Sequence, residues 1–233
     1  MEPMDIRKNI EIVKYKVAES AEKAGKKPEE IRIVAVGKTF PAEILLEAKE
    51  GGLREFGENK VQELVEKMNA LGKEVSWHMI GHLQKNKAKY IVGAVDLIHS
   101  LDSFDLALQI DKTAEKCGCI QDVLVQVNIS GEETKFGLRP EDVLNFLKEV
   151  SMLERIRVRG LMTIGPNTDD KNLIRESFRR MHSLYIDMKD KKLDNINMDI
   201  LSMGMSKDFE IAIQEGANMV RIGSAIFGNR MYR

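Results

Sequence analysis

The sequence predicts a (β/α)8 TIM barrel with an extra helix ahead of the first strand. Two observations carry that expectation: apolar strand-like runs alternate with helical segments through eight units, and no Pro/Ser-rich linker or low-complexity tract interrupts them. Strict alternation requires a parallel sheet with crossover helices. Eight unbroken units favour closure over an open doubly wound sheet. With 233 residues, 43% of them hydrophobic, the chain can fill one sizeable core. We expect one domain over residues 1–233, with 1–25 as a helix packed on the barrel.

The front helix sets Ile6, Ile10, Val13, Val17 and Ala21 at helical spacing among lysines and glutamates. "GKKPEE" ends it, and "IRIVAVGK" (31–38) opens the barrel. Further strands are expected at "LREFGEN" (53–59), "VSWHMIG" (75–81), "VDLIHSL" (95–101) and "DVLVQVNIS" (122–130). "IRVRGLMTI" (156–164), "MDILSMGM" (198–205) and "NMVRIGSAIF" (218–227) complete the set. Helices such as "PAEILLEAKEG", "NKVQELVEKMNALG", "FDLALQIDKTAEKCG" and "PEDVLNFLKEVS" lie between, so each later strand is expected to be entered from a helix.

Charge excludes some partners. The balance of 36 basic against 37 acidic residues offers no field for a phosphate backbone, so nucleic acid is not expected as a partner. "MEPMDIRKNIEIVKYK" lacks a signal-like apolar region, and no run of about 18 apolar residues occurs. A cytoplasmic protein without membrane contact is expected, and mixed charge on the helices points to a monomer. Cys117 and Cys119 in "KCGCI" read as ordinary packed thiols rather than a disulfide framework or a zinc site.

Barrel sites lie at the C-terminal ends of strands, and phosphates often bind after strands seven and eight. Those loops read "SMGMSKDFE" and "RIGSAIFG", each with glycine and serine before a helical segment: Gly204 and Ser206, Gly223 and Ser224. Either loop alone reads as turn glycines and capping serines. Together, in both slots, they point to a bound phosphate. Closure brings strand eight beside strand one, where Lys38 stands at the strand end. A lysine there can pair with the phosphate or with a carboxylate such as Glu58. An amine desolvated at that position is also a nucleophile toward aldehydes. Pyridoxal 5'-phosphate (PLP), or a phosphorylated sugar held by an aldolase lysine, satisfies both features. Arg221, on strand eight, would leave a pyridine nitrogen unprotonated and weaken the ring as an electron sink; a structural ion pair is the competing reading.

At these residues the sequence resembles the pyridoxal phosphate homeostasis protein family. The matching segments are "VAVGKTFP", "FGENKVQE", "WHMIGHLQKNK", "VNISGEETKFGL", "GLMTIGP" and "LSMGMSKDFEIAIQEGANMVRIGSAIFG", from about residue 34 to 228. The resemblance implies a barrel like the N-terminal domain of alanine racemase, with PLP as a Schiff base on Lys38. It places the phosphate cradle on Ser206, Gly223 and Ser224, with Ser202 and Gly204 nearby. Arg221 would face the pyridine nitrogen and Asn59 would lie near the ring. Lys60 stands where many members carry an aromatic residue, a departure confined to contacts beside Asn59.

Racemases of this kind add a second domain and a partner-subunit tyrosine as the opposite-face acid/base. The present chain runs about five residues past "RIGSAIFG", and none of Tyr15, Tyr90, Tyr185 and Tyr232 stands at an expected strand end. Racemisation needs proton transfer on both faces of a carbanion. The expectation is therefore a protein that holds PLP without efficient turnover, limits its free concentration, and delivers it to apo PLP-dependent enzymes. A low-activity racemase or lyase is the alternative; an aldolase using the same lysine without PLP is a third reading. No metal site is expected.

Among other residues, His78 and His82 share parity with Ile80, with His78 read as a hydrogen-bonded barrel residue and His99 as similar. Gln126 and Asn128 imply a polar interior on strand five. Lys135 reads as a solvated loop lysine, or as a second amine that takes PLP from Lys38. Lys85, Lys87 and Lys89 read as a solvated helix face.

Overall fold

The computed structural model describes residues 5–72 and 74–228, so the ends of the expected 1–233 unit and Tyr232 lie outside the described residues. Eight parallel strands close in sequence order: β1 (Arg32–Val36), β2 (Glu55–Glu58), β3 (Ser76–Met79), β4 (Leu97–Leu101), β5 (Gln121–Gln126), β6 (Ile156–Met162), β7 (Ile196–Ser202) and β8 (Met219–Ile222). The register of β1 against β8 sets Val34 beside Arg221, which seals the barrel where the sequence places its chemistry.

Alternation along the strands sorts side chains to two environments. Val34, Leu97, Leu124, Met162, Ile200 and Met219 form a small apolar cluster of their own inside the barrel. Their neighbours, such as Ala35, Phe56, Ile98, Val123 and Leu161, join the larger core shared with the helices.

The outer layer comprises α1 (Ile6–Lys23), α2 (Ala42–Glu50), α3 (Val61–Leu71), α4 (Phe104–Cys117), α5 (Val143–Val150), α6 (Lys171–Lys189), α7 (Phe209–Gln214) and α8 (Ser224–Phe227). Helix α1 starts where the Asp5 carboxylate accepts the Lys8 N–H, and it buries Ile6, Ile10, Val13, Val17 and Ala21. It packs against the short helices α7 and α8, and the Asn9 amide donates to the Ile226 carbonyl. None of the helices in the described residues is long and apolar enough to cross a membrane.

Two expectations change. Strand β4 is entered from a 3-10 segment, Lys85–Tyr90, rather than an α-helix; "KNKAKY" offers only Ala88 as a buried residue, too little for an amphipathic stripe. The run "NMVRIGSAIF" is a four-residue strand that breaks at Gly223, after which Ser224–Phe227 turn into α8. One glycine is required by the barrel itself: Gly160, in a bulge of β6 at φ +147°, would set a Cβ 1.8 Å from the Ile200 carbonyl oxygen.

Candidate functional site

A cavity of about 850 Å3 opens at the C-terminal end of the barrel, within the ~300–1,000 Å3 typical of small-molecule pockets. Lys38, Asn59, Ser206, Arg221, Gly223 and Ser224 all line it. Ser202 and Gly204 do not. Ser202 is fully buried beneath Arg221. Gly204, at φ +95°, lets α7 approach so closely that a Cβ would lie 2.6 Å from that of Ala212. Its carbonyl accepts the Arg221 backbone N–H.

Lys38 sits two residues past the end of β1, half-buried in a turn. The deeply buried lysine is a different one, Lys67 on α3, with 6% of its side chain exposed. Its Nζ donates to Glu58 Oε1 at 2.6 Å and to the Gly37 carbonyl at 2.9 Å. Glu58, a candidate partner of Lys38 in the sequence, is thus engaged by Lys67. Burial pushes the Glu58 carboxyl above its usual range, and the contact with Lys67 works against that.

Ser206 has a distinctive hydrogen-bond state. Its Oγ accepts the backbone N–H groups of Gly223 and Ala225, each at 3.1 Å. A hydroxyl has two acceptor lone pairs and one proton, so the remaining capacity of Ser206 is to donate. The loop is fixed from behind by Asp208, whose carboxylate accepts the Met205 N–H and whose pKa burial raises.

Arg221 is buried, and burial lowers its guanidinium to about 10. It donates to Ser202 Oγ at 2.6 Å and to the Thr163 carbonyl at 2.8 Å. Both acceptors are neutral, and among the described residues no carboxylate forms an ion pair with it. Below it a chain of contacts runs into the barrel. Ser202 Oγ meets His99 Nδ1 at 3.2 Å, His99 Nε2 meets His78 Nδ1 at 2.9 Å, and His78 Nε2 faces Glu55 Oε2 at 3.5 Å. Arginine can only donate, so Ser202 Oγ accepts from Arg221 and keeps its own proton available for His99 Nδ1. The direction of the His99–His78 contact follows the tautomers of the two rings, and the His78 Nε2 and Glu55 Oε2 that face each other are not hydrogen-bonded. Burial keeps both rings neutral: it pushes His78 down to about 3, and His99 well below its ordinary value. His78 and His99 are thus buried hydrogen-bonded barrel residues, as their positions suggest.

His82 is not part of this chain. It lies beyond the end of β3, stacks on Phe136 and pairs with Asp102 at 3.4 Å. Gln126 and Asn128 organise the loop after β5: the Gln126 amide donates to the Phe136 carbonyl, and the Asn128 amide donates to the carbonyls of Glu132 and Lys135. That loop brings Lys135 to the cavity wall. Lys135 is not a solvated lysine; its side chain is 17% exposed and its Nζ donates to Glu132 Oε1 at 2.6 Å and the Gly165 carbonyl at 2.7 Å. Tyr15 and Tyr90 are exposed, and Tyr185 is buried with its hydroxyl on the Met198 carbonyl.

Sequence reasoning missed Lys67. The signal was a lysine on the buried face of α3, which also carries Val61, Leu64 and Leu71.

Residues 9–231 match the family model for the alanine racemase N-terminal domain. The pyridoxal phosphate homeostasis protein of Aquifex aeolicus (strain VF5) is 41% identical over 230 residues, covering 98% of this chain and 100% of the relative. The structure of PipY from Synechococcus elongatus PCC7942 with PLP bound superposes with a TM-score of 0.80 at 33% identity, over 91% of this chain and 100% of PipY. Alanine racemase from Clostridium difficile 630 is 17% identical and shares the fold, with a TM-score of 0.76 over 97% of this chain and 56% of the racemase.

Proposed function

We propose that this chain, which belongs to the alanine racemase N-terminal domain family and, within it, to the pyridoxal phosphate homeostasis proteins, holds PLP reversibly as a Schiff base on Lys38 and supplies it within the cell without efficient turnover. The observation that carries the reading is Arg221: a buried cation whose contacts are neutral oxygens, on the wall of a cavity shared with Lys38. Asp208 attracts the guanidinium but makes no direct contact with it, and a buried cation held only by neutral oxygens is best accounted for by an acceptor that arrives with the ligand.

The residues present fit PLP. Ser206, with its acceptor capacity used, is set to donate to a phosphate oxygen; Gly223 and Ser224 stand beside it. A Cβ at position 223 would lie 3.2 Å from the Val36 carbonyl oxygen, so glycine keeps that wall open. Arg221, fixed as a donor by Ser202 and Thr163, would present its remaining N–H groups to an unprotonated ring nitrogen, and Asn59 would border the ring. When bound, PLP supplies an aldehyde: the Lys38 nitrogen bonds to its carbon and the aldehyde oxygen leaves as water. The homeostasis names of the relatives support holding over turnover. An arginine, rather than a carboxylate, at the ring nitrogen supports it too.

Adding PLP to the purified protein should produce a visible band that borohydride bleaches and that Lys38→Ala lacks. No band in the wild type would refute the reading. Lys135, on the wall of the same cavity, favours a second reading, a low-activity PLP enzyme with a second amine beside the ligand. Deuterium decides between them: a carrier leaves the α-proton of an added amino acid in place, whereas an enzyme exchanges it with solvent.

A further inference from the structure

We propose that Lys67 and Glu63 of α3 are positioning residues for Lys38, clamping the backbone on both sides of it; the inference rests on the reading of Lys38 as the Schiff-base lysine. The φ and ψ angles of Lys38 are rotations between two peptide groups, the one that begins with the Gly37 carbonyl and the one that ends with the Thr39 N–H. Both groups are held by the same helix. Lys67 Nζ donates to the Gly37 carbonyl at 2.9 Å, and Glu63 Oε2 accepts the Thr39 N–H at 3.0 Å. The direction in which the Lys38 side chain leaves the backbone is fixed accordingly.

Three further observations make this a built device. The Gly37 carbonyl also accepts the Phe40 N–H at 3.0 Å, so the turn is closed from within as well as from α3. Thr39 lies at φ +71°, a left-handed conformation that a residue with a branched Cβ keeps only where its surroundings impose it. Lys67 is itself held by Glu58, the last residue of β2, and Glu63 Oε2 lies 3.8 Å from its Nζ. A pair of apolar residues would fill the Glu58–Lys67 volume with less desolvation. What the ammonium adds is a second donor, directed at the carbonyl next to Lys38.

Holding the amine in one direction matters for a condensation because displacement of a reacting group by about 1 Å slows a step by about 100-fold. Binding of a ligand that does not condense has no such requirement. The contrast supplies the test, made on the full chain with three variants. Glu63→Ala removes the Thr39 acceptor and leaves the buried pair intact. Glu63→Gln keeps an acceptor oxygen without the charge. The double variant Glu58→Gln/Lys67→Met removes the donor to Gly37 without stranding a buried charge.

The rate of borohydride-reducible linkage with PLP is compared with the affinity for pyridoxine 5'-phosphate, an alcohol that cannot condense. Glu63→Ala and the double variant should slow linkage about 10- to 100-fold, while affinity for the alcohol stays at the wild-type level. Glu63→Gln should behave as wild type. Linkage at the wild-type rate in both disruptive variants, or a loss matched by an equal loss of alcohol affinity, would overturn the clamp and leave the Lys38 assignment standing. A wild type that forms no linkage at all would take down that assignment and the clamp with it.

Discussion

At the N-terminal end of the barrel, Arg32 meets Glu55 at 2.8 Å, Arg157 meets Asp122 at 2.7 Å, and Arg159 bridges Asp122 and Asp199 at 2.8 and 2.9 Å. At the C-terminal end Arg221 rests on a serine hydroxyl and a backbone carbonyl. The same residue type is therefore used in opposite ways a few residues apart. Floor cations are neutralised inside the chain and are partly exposed, which makes them structural. The mouth cation is buried and forms no ion pair among the described residues, which is why the proposed binding role falls to it. The histidine chain lies between the two ends, from Ser202 under Arg221 through His99 to His78 beside Glu55 of the floor.

The largest expected effect concerns that chain. His78 and His99 are neutral in the fold and gain protons freely once unfolded, so the unfolded state binds more protons as the pH falls. Stability is then lost from about pH 6.5 downward, by about 1.4 kcal/mol per pH unit for each histidine. The loss continues toward the folded value of about 3 for His78. Glu58, Asp102 and Asp208, with carboxyls raised by burial, work in the opposite direction and flatten the curve at its acid end. Urea unfolding measured between pH 7 and 4 should show the steep fall; a flat profile would mean that the rings are charged or already exposed.

Next comes a pair of arginine substitutions that sets one end against the other. Arg221→Met should leave thermal stability unchanged or raised while weakening PLP binding by about tenfold or more. Arg159→Met should do the reverse: unchanged binding and a loss of about 1 kcal/mol or less that shrinks with added salt. Calorimetry and a PLP titration on both variants check this. A large stability loss in Arg221→Met would place it with the structural charges and erase the distinction.

Much of this was legible in the sequence because apolar alternation survives translation into strands: all eight runs form them, and the five apolar positions of the front helix are its buried face. The site was less legible past the strand ends. Strand β7 stops at Ser202, which is buried under Arg221, while Ser206, four residues on, reaches the cavity. Likewise β3 stops at Met79, and His82 parts company with His78. Lys67 was hidden by its spacing: four residues after Glu63, it has the look of a solvated helical pair, and only the packing of α3 on β2 shows that it is buried. Glu58, read beside Lys38 in the sequence, is the carboxylate that Lys67 engages.

The most direct test of the account is to locate the covalent attachment. Wild-type protein loaded with PLP is reduced with borohydride, digested, and its peptides mapped by mass spectrometry. A single adduct on Lys38 is the expected result. An adduct on Lys135 or Lys67, or label scattered over exposed lysines, would contradict it.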